Sequence, residues 1–526
     1  MRTSLVLSIL AAFVILIQSA PHAGQQAGAR LTPAAETALA EFLSAPSPQA
    51  AESAAAAVLK SSVNEEAARE RLARGRTYSA EVARGIAKLS HRIGANEFGY
   101  SIEVPASYDP RRKYQVRFQL HGGVTGRQDG AVRGAGGIGS LAGAEQIYVL
   151  PNAWNDVPWW GAAQMESLGV ILDRLKRSYN VDENRVVVSG VSDGGTAAYY
   201  VAMHETTPFA SFLPLNGALL VLTNESLNIE SDLFPNNLLD KPFFVVNGGR
   251  DPLYPPSIVE PYVEHLKAGG VDLSYHPQPT GVHNTAWWPD VKNLFETFVA
   301  EHPRTPHPAK LTWQTDGKDT DKRAHWIVID ELKPTDAREP LADLNRLVPP
   351  PLSGFGLRMD GRRVTSVAGA SSASTFDLRV GDEIVAIDGK AVPDNQTPLQ
   401  FLQTFPAGNL MTFTVVRDSQ RTDLRGYFSP GSAAPRPIFG RSGPSGRVDV
   451  VRNGNRIEAT TRGVAAFTLL LSADVIDFSK PVTVVVDGRT QFEGALKRSV
   501  ETLMKWAARD NDRTMLYDAE LTLKVP

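Results

Sequence analysis

The chain has 526 residues, too many for one hydrophobic core, so about three or four domains are expected from ordinary domain sizes. Its 54 Lys+Arg against 57 Asp+Glu leave a net charge of −3, with no basic field to attract nucleic acid and no acidic tail. With 0 Cys, disulfides, thiol catalysis, cysteine-ligated zinc and a lipidated cysteine are all excluded.

In chain order, Met1-Arg2-Thr3-Ser4 is followed by an apolar run from Leu5 to Ile17 and by Gln18-Ser19-Ala20. A basic start, a short apolar stretch and small residues at the exit make residues 1–23 a secretory signal peptide by pattern, too short to cross a bilayer comfortably. A secreted or periplasmic protein with no membrane span after signal removal is expected. Residues 24–95 are Ala- and Glu-rich, with Ala35, Leu39, Phe42 and later Ala67, Leu72 at helical spacing, broken by Pro46-Ser47-Pro48. They predict a helical N-terminal segment packed against the domain that follows.

Residues 96–303 change character. Tyr100–Val104 and Tyr114–Leu120 alternate as strands, with Gln146–Leu150 as another; Met165, Leu168, Leu172 and Leu175 then mark an amphipathic helix. Arg185–Ser189 is an apolar β-branched run, Phe243–Asn247 a buried strand and Val271–Tyr275 a further one. Val291, Leu294, Phe295 and Phe298 mark a closing helix. Alternating β and α units predict a mainly parallel, doubly wound α/β sheet.

Beyond Pro303 the sequence is turn-rich, with strand candidates at Leu311–Trp313 and Trp326–Ile329 that cannot bury a face alone. Alternating strands resume only at Val448, with Asn453-Gly454 and Asp487-Gly488 as turns, and end at Leu521–Val525. A β-rich C-terminal domain in two parts, 304–344 and 433–526, is therefore expected around an insertion at 345–432. The insertion opens with Gly354-Phe355-Gly356-Leu357 and carries Leu378-Arg379-Val380-Gly381-Asp382-Glu383-Ile384-Val385-Ala386-Ile387-Asp388-Gly389. Through these it resembles a PDZ domain. The resemblance implies a loop at Gly354, Phe355, Gly356 and Leu357 that presents backbone N–H groups to a peptide carboxyl terminus, beside a strand edge that accepts the peptide.

The chemistry centres on Gly190-Val191-Ser192-Asp193-Gly194-Gly195, between the β-branched run and the helix-like Thr196–Met203. Strand before and helix after make it a nucleophile elbow, whose glycines leave room for a sharp turn that holds a serine hydroxyl clear of the sheet. Serine needs an imidazole to take its proton and a carboxylate to fix the imidazole's tautomer, in the chain order Ser, Asp or Glu, His. Asp251, after a buried strand, and His283, before the last helix, satisfy both order and position. His276 competes but ends a strand ahead of Pro277. His204-Glu205 is followed by Thr206-Thr207 and completes no zinc motif, so neither metal nor cofactor is expected. Oxyanion donors would be the backbone N–H of Asp193 and of Gly122 or Gly123, with His121 bracing that loop.

With His121-Gly122-Gly123, the elbow, Asp251 and His283, residues 96–303 resemble secreted α/β-hydrolases of the polyhydroxybutyrate depolymerase, feruloyl esterase and prolyl-oligopeptidase-like group. The resemblance implies Ser192 as nucleophile, His283 as general base and acid, and Asp251 as orienting carboxylate, with ester hydrolysis through an acyl-enzyme. A peptide substrate captured by the PDZ-like domain, and a non-catalytic cell-envelope binding protein, are the alternatives. Asp193 departs from the uncharged residue usual in such families; near the hole it would oppose an oxyanion, so it is expected to point away. Trp159, Trp160 and Trp287 flank the motifs and are expected to wall the substrate cleft.

Overall fold

The computed structural model describes residues 31–124, 136–223, 227, 229, 233–318, 322–333, 347–348, 355–367, 373–405, 410–428, 436–437 and 444–525. The signal segment 1–23 and Gly354 lie outside them.

Three helices open the described chain: α1 (Pro33–Ser44), α2 (Pro48–Lys60) and α3 (Glu65–Arg74). Each starts on a side-chain cap, Thr32, Ser47 or Asn64, that accepts an otherwise unpaired backbone N–H of the first turn. Their apolar faces, Leu39, Phe42, Leu43 and Val58 among them, do not complete a core with the following domain. They pack with Leu503, Met504 and Ala507 of a C-terminal helix, Val500–Asp510, while Arg177 of the following domain donates to the Ala45 carbonyl at 2.5 Å. Sequence periodicity names the buried face of a helix, not the element that covers it.

Residues 85–93 correct the expectation of an entirely helical 24–95. They form a strand, β1 (Gly85–Ile93), that pairs antiparallel with β2 (Asn96–Val104) across the tight turn at Gly94. The sheet continues with β3 (Tyr114–Leu120), β4 (Ile147–Pro151), α4 (Ala162–Ser178), β5 (Val181–Val191), α5 (Asp193–His204), β6 (Ser211–Leu215), α6 (Leu219–Leu222), β7 (Phe243–Val245), α7 (Pro256–Ala268), β8 (Leu273–Tyr275) and α8 (Trp288–Glu301). Strand order is β1-β2-β4-β3-β5-β6-β7-β8, parallel from β4 to β8. Strand β6 has no counterpart in the sequence reading because Pro214, which has no N–H for the ladder, interrupts its short apolar run.

Side chains along the central strands alternate between two cores, as a buried parallel sheet requires. Val186 and Val188 of β5 and Val245 of β7 face α4, α5 and α7; Val187, Leu213, Phe244 and Val246 face α8 through Val291, Phe295 and Phe298. The doubly wound arrangement puts the loops after β3, β5, β7 and β8 at the same carboxyl edge, where sites in such sheets form.

The C-terminal β-rich part pairs strands from far apart in sequence. Lys310–Thr315 runs antiparallel to Gly446–Asn453 in a five-stranded sheet, and Ile327–Leu332 antiparallel to Val464–Leu471 in a four-stranded one, over a shared core with Trp313, Trp326 and Phe467. Between them, Leu347–Val348 and Arg436–Pro437 pair with each other. They flank a unit with its own core of Phe355, Phe376, Ile384, Ile387 and Phe413. That unit's sheet places Leu357–Asp360 at one edge and Gln420–Tyr427 at the other, with Gly356 at φ +85° just before the first.

This β-rich part docks on the sheet domain through ion pairs. Asp512 is buried between Lys176 (3.3 Å) and Arg304 (2.8 Å) and accepts the Thr514 N–H; Arg513 pairs with Glu183 on β5. Burial alone would raise the Asp512 pKa, but Arg304 and then Lys176 hold it well below the usual carboxylate range.

Candidate active site

The turn from β5 into α5 is made possible by missing side chains. A Cβ on Gly190 would collide with the Gly194 carbonyl, and one on Gly194 with the Leu120 carbonyl, so the elbow presses directly on the end of β3. Ser192 sits at φ +58°, ψ −120°, a conformation that costs a non-glycine residue on the order of 1–3 kcal/mol. Two backbone bonds impose it: Ser192 N–H donates to the Leu215 carbonyl at the end of β6, and the Ser192 carbonyl accepts from Thr196 in α5, both at 2.9 Å.

Ser192 Oγ lies 2.9 Å from His283 Nε2, and His283 Nδ1 lies 2.7 Å from Asp251 Oδ2. The other oxygen of Asp251 accepts the N–H groups of Leu253 (2.8 Å) and Tyr254 (3.0 Å). Asp251 is fully buried, whereas the His283 side chain is 19% exposed. A buried carboxylate with two backbone donors serves as an acceptor; it therefore accepts the Nδ1–H hydrogen bond and leaves the Nε2 lone pair facing the serine hydroxyl. The loops that carry these two residues are stitched together, with Arg250 N–H donating to the Gly281 carbonyl (2.8 Å) and Gly249 N–H to that of Gln278 (2.6 Å).

The loop after β3 closes the other side of the nucleophile. A Cβ on Gly122 would stand 2.8 Å from the Ser192 Cβ, and Gly123 turns at φ +70°. His121 does not serve as a base here. Its Nε2 accepts the Ala153 N–H at 3.1 Å, so Nδ1 carries the proton and donates to the Gly122 carbonyl at 3.0 Å. Asp193 points away from the hole. The residue is 8% exposed, and its side chain turns back to the same loop and accepts the Val124 N–H at 2.7 Å. The resulting arrangement can transfer a serine proton to imidazole, with the Gly122 backbone packed against the Ser192 side chain.

The tryptophans are a correction. Trp159 is fully buried, Trp160 and Trp287 nearly so, and they do not wall an open cleft. Trp159 packs its ring on His121 and donates Nε1–H to the His121 carbonyl at 2.9 Å, so it holds the donor loop from behind. Large rings bury too much apolar surface to be spared at this edge of the sheet. The competing His276 stacks on Phe244 and bonds Ser274, on the α8 side. His204 stacks on Tyr200 and meets Phe234 edge-on in the opposite core.

Three residues at the site carry no signal in the sequence pattern. The Tyr254 ring meets His283 edge-on at 5.2 Å, and its hydroxyl interacts with Ser192; burial, then the charges of Asp193 and Asp251, push its pKa up to about 12. Leu253 and Val282, the neighbours of the Asp251 turn and of His283, are exposed to 59% and 42%. Only their position beside Asp251 and His283 could have drawn notice to them.

Among solved structures the chain is similar, over about two fifths of its length, to hydrolases of two kinds. It matches a thermostable esterase at 20% identity and TM-score 0.33 (42% of this chain, 63% of that one). It matches esterase 2 of Thermogutta terrifontis at 16% and 0.34 (41% and 94%), and the acylaminoacyl peptidase of Pyrococcus horikoshii at 15% and 0.33 (41% and 41%). The chain thus spans less than two thirds of the thermostable esterase and of the peptidase. No family model and no curated protein matches it.

Proposed function

We propose that this chain is a serine hydrolase that cleaves carboxylic esters through an acyl-enzyme. The observation that carries the reading is the continuous relay from Asp251 through His283 to Ser192, with both contacts below 3 Å. In the proposed reaction the Ser192 Oγ attacks the ester carbonyl as its proton passes to His283 Nε2, and Asp251 steadies the imidazolium. The carbonyl oxygen takes up negative charge against the N–H groups of Asp193 and of Gly122 or Gly123. His283 then returns the proton to the departing alcohol, and water repeats the sequence to release the acid. The exposed apolar pair Leu253 and Val282 beside the relay favours an uncharged, apolar group on the substrate.

The peptidase reading keeps the same relay and assigns 345–432 to peptide capture at Phe355, Gly356 and Leu357; the open edge of Leu357–Asp360 favours it. Export, to the periplasm or beyond, rests on the pattern of residues 1–23. The test is labelling by a fluorophosphonate followed by a panel of aryl esters and carboxyl-terminal peptides. Labelling at Ser192 with ester turnover supports the first reading. Peptide turnover that falls on deletion of 345–432, with ester turnover intact, would replace it with the second. No labelling at all would leave the envelope binding protein.

A further inference from the structure

We infer that the Asp193 side chain is a positioning group that fixes the spacing of the oxyanion donors. This rests on the serine hydrolase reading and extends it to the one elbow residue whose charge runs against that chemistry. The two donors a hole needs come from different parts of the chain, one at the start of α5 and one in the loop after β3. Nothing covalent holds them in register. Asp193 belongs to both: its backbone N–H is the first donor, and its carboxylate grips Val124 N–H, one residue beyond Gly123, at 2.7 Å.

The grip supplies at the far end of the loop an anchor that its glycines do not. Gly122 and Gly123 have no side chains with which to anchor it, and Gly123 is in the left-handed region, where glycine alone is unstrained. On the outer side His121 and Trp159 tie down its start through Ala153 N–H and the His121 carbonyl. Asp193 ties down its end, where Val124 is fully buried. A charged acceptor makes a stronger bond to a backbone N–H than a neutral one. The bond also aims the carboxylate at the loop rather than at the developing oxyanion, and the N-terminus of α5 favours a negative charge at its first residue. Repulsion between Asp193 and the developing oxyanion is thus the cost of a rigid hole, and the bond to Val124 N–H limits that cost by engaging the carboxylate's charge.

Asp193→Ala removes the acceptor, and Asp193→Asn keeps one without the charge. For an aryl ester, Asp193→Ala is expected to lower kcat at least thirtyfold with KM within threefold of the parent, because the hole acts on the transition state. Asp193→Asn is expected to recover at least tenfold of that loss. Melting curves of both variants report folding, and Asn, of nearly the same volume, serves if Ala does not fold. Asp193→Ala with kcat within threefold of the parent, or Asn no better than Ala, overturns the inference while parental turnover and Ser192 labelling leave the hydrolase reading standing. A parent protein that neither turns over esters nor labels at Ser192 defeats both.

Discussion

Asp251 and Asp512 are both buried carboxylates, and they do opposite work. Asp251 faces two backbone N–H groups and the His283 ring, whose far nitrogen meets the Ser192 hydroxyl. Asp512 pairs with Lys176 and Arg304 and has no reacting group beyond them; it joins the β-rich part to the sheet domain. The comparison teaches that burial alone does not mark a catalytic acid. What matters is whether the partner leads on to a reacting atom.

That contrast can be broken in several ways. The largest expected effect is on turnover. Ser192→Ala should lower kcat on the order of 10⁶-fold and Asp251→Asn on the order of 10⁴-fold, both with little change in melting temperature. Steady-state rates on an aryl ester with parallel calorimetry check this. A large stability loss in Asp251→Asn would erase the distinction between the two carboxylates.

Asp512→Asn should do the reverse. Leaving Arg304 and Lys176 buried without their counter-charge is expected to cost about 3–5 kcal/mol of stability in chemical denaturation, with kcat nearly intact at low temperature. The Asp512 pKa is depressed in the fold, so its contribution is full above the unfolded value near pH 4 and is lost as pH falls below it.

A smaller effect is expected at Tyr254. Its hydroxyl stays protonated at any working pH and interacts with Ser192, whose Oγ lies 2.9 Å from His283 Nε2. Tyr254→Phe keeps the ring on His283 and should lower kcat about fivefold, the worth of about 1 kcal/mol of hydrogen bond. No change in kcat would show that the ring alone matters.

The smallest effect tests burial without a partner. His91 lies between Phe98 and Tyr100 with neither ring nitrogen bonded, and burial, then Arg174, lowers its pKa to about 4. The unfolded chain binds a proton there between pH 6.5 and 4 that the fold does not, so stability falls as pH drops through that window. His91→Phe should flatten this part of the stability–pH curve and leave neutral-pH stability equal or higher. An unchanged acid slope would assign the loss to other groups, such as the buried His325, whose pKa is also lowered, by burial and then by Lys241.

Where the sequence was legible, the constraint was local. Gly190 and Gly194 bracket Ser192 because backbones touch there, and the chain order Ser192, Asp251, His283 follows from loops at one edge of a wound sheet. The alternation of strand and helix gave the sheet, apart from β1, taken into the helical segment, and β6, masked by Pro214. The tryptophans near the motifs misled, since an aromatic residue beside a site reads alike whether it faces substrate or the core.

The sequence by itself determined the elbow, the candidate partners of its serine and the α/β character of residues 96–303, because turn geometry and hydrophobic period are properties of neighbouring residues. Only the tertiary structure decided that α1 to α3 share a core with Val500–Asp510, that strands separated by more than a hundred residues pair across 345–432, and that Asp193 turns to Val124. Those outcomes depend on which distant surface meets which side chain. Such meetings are fixed by the packing of the whole chain, and no spacing within a segment encodes them.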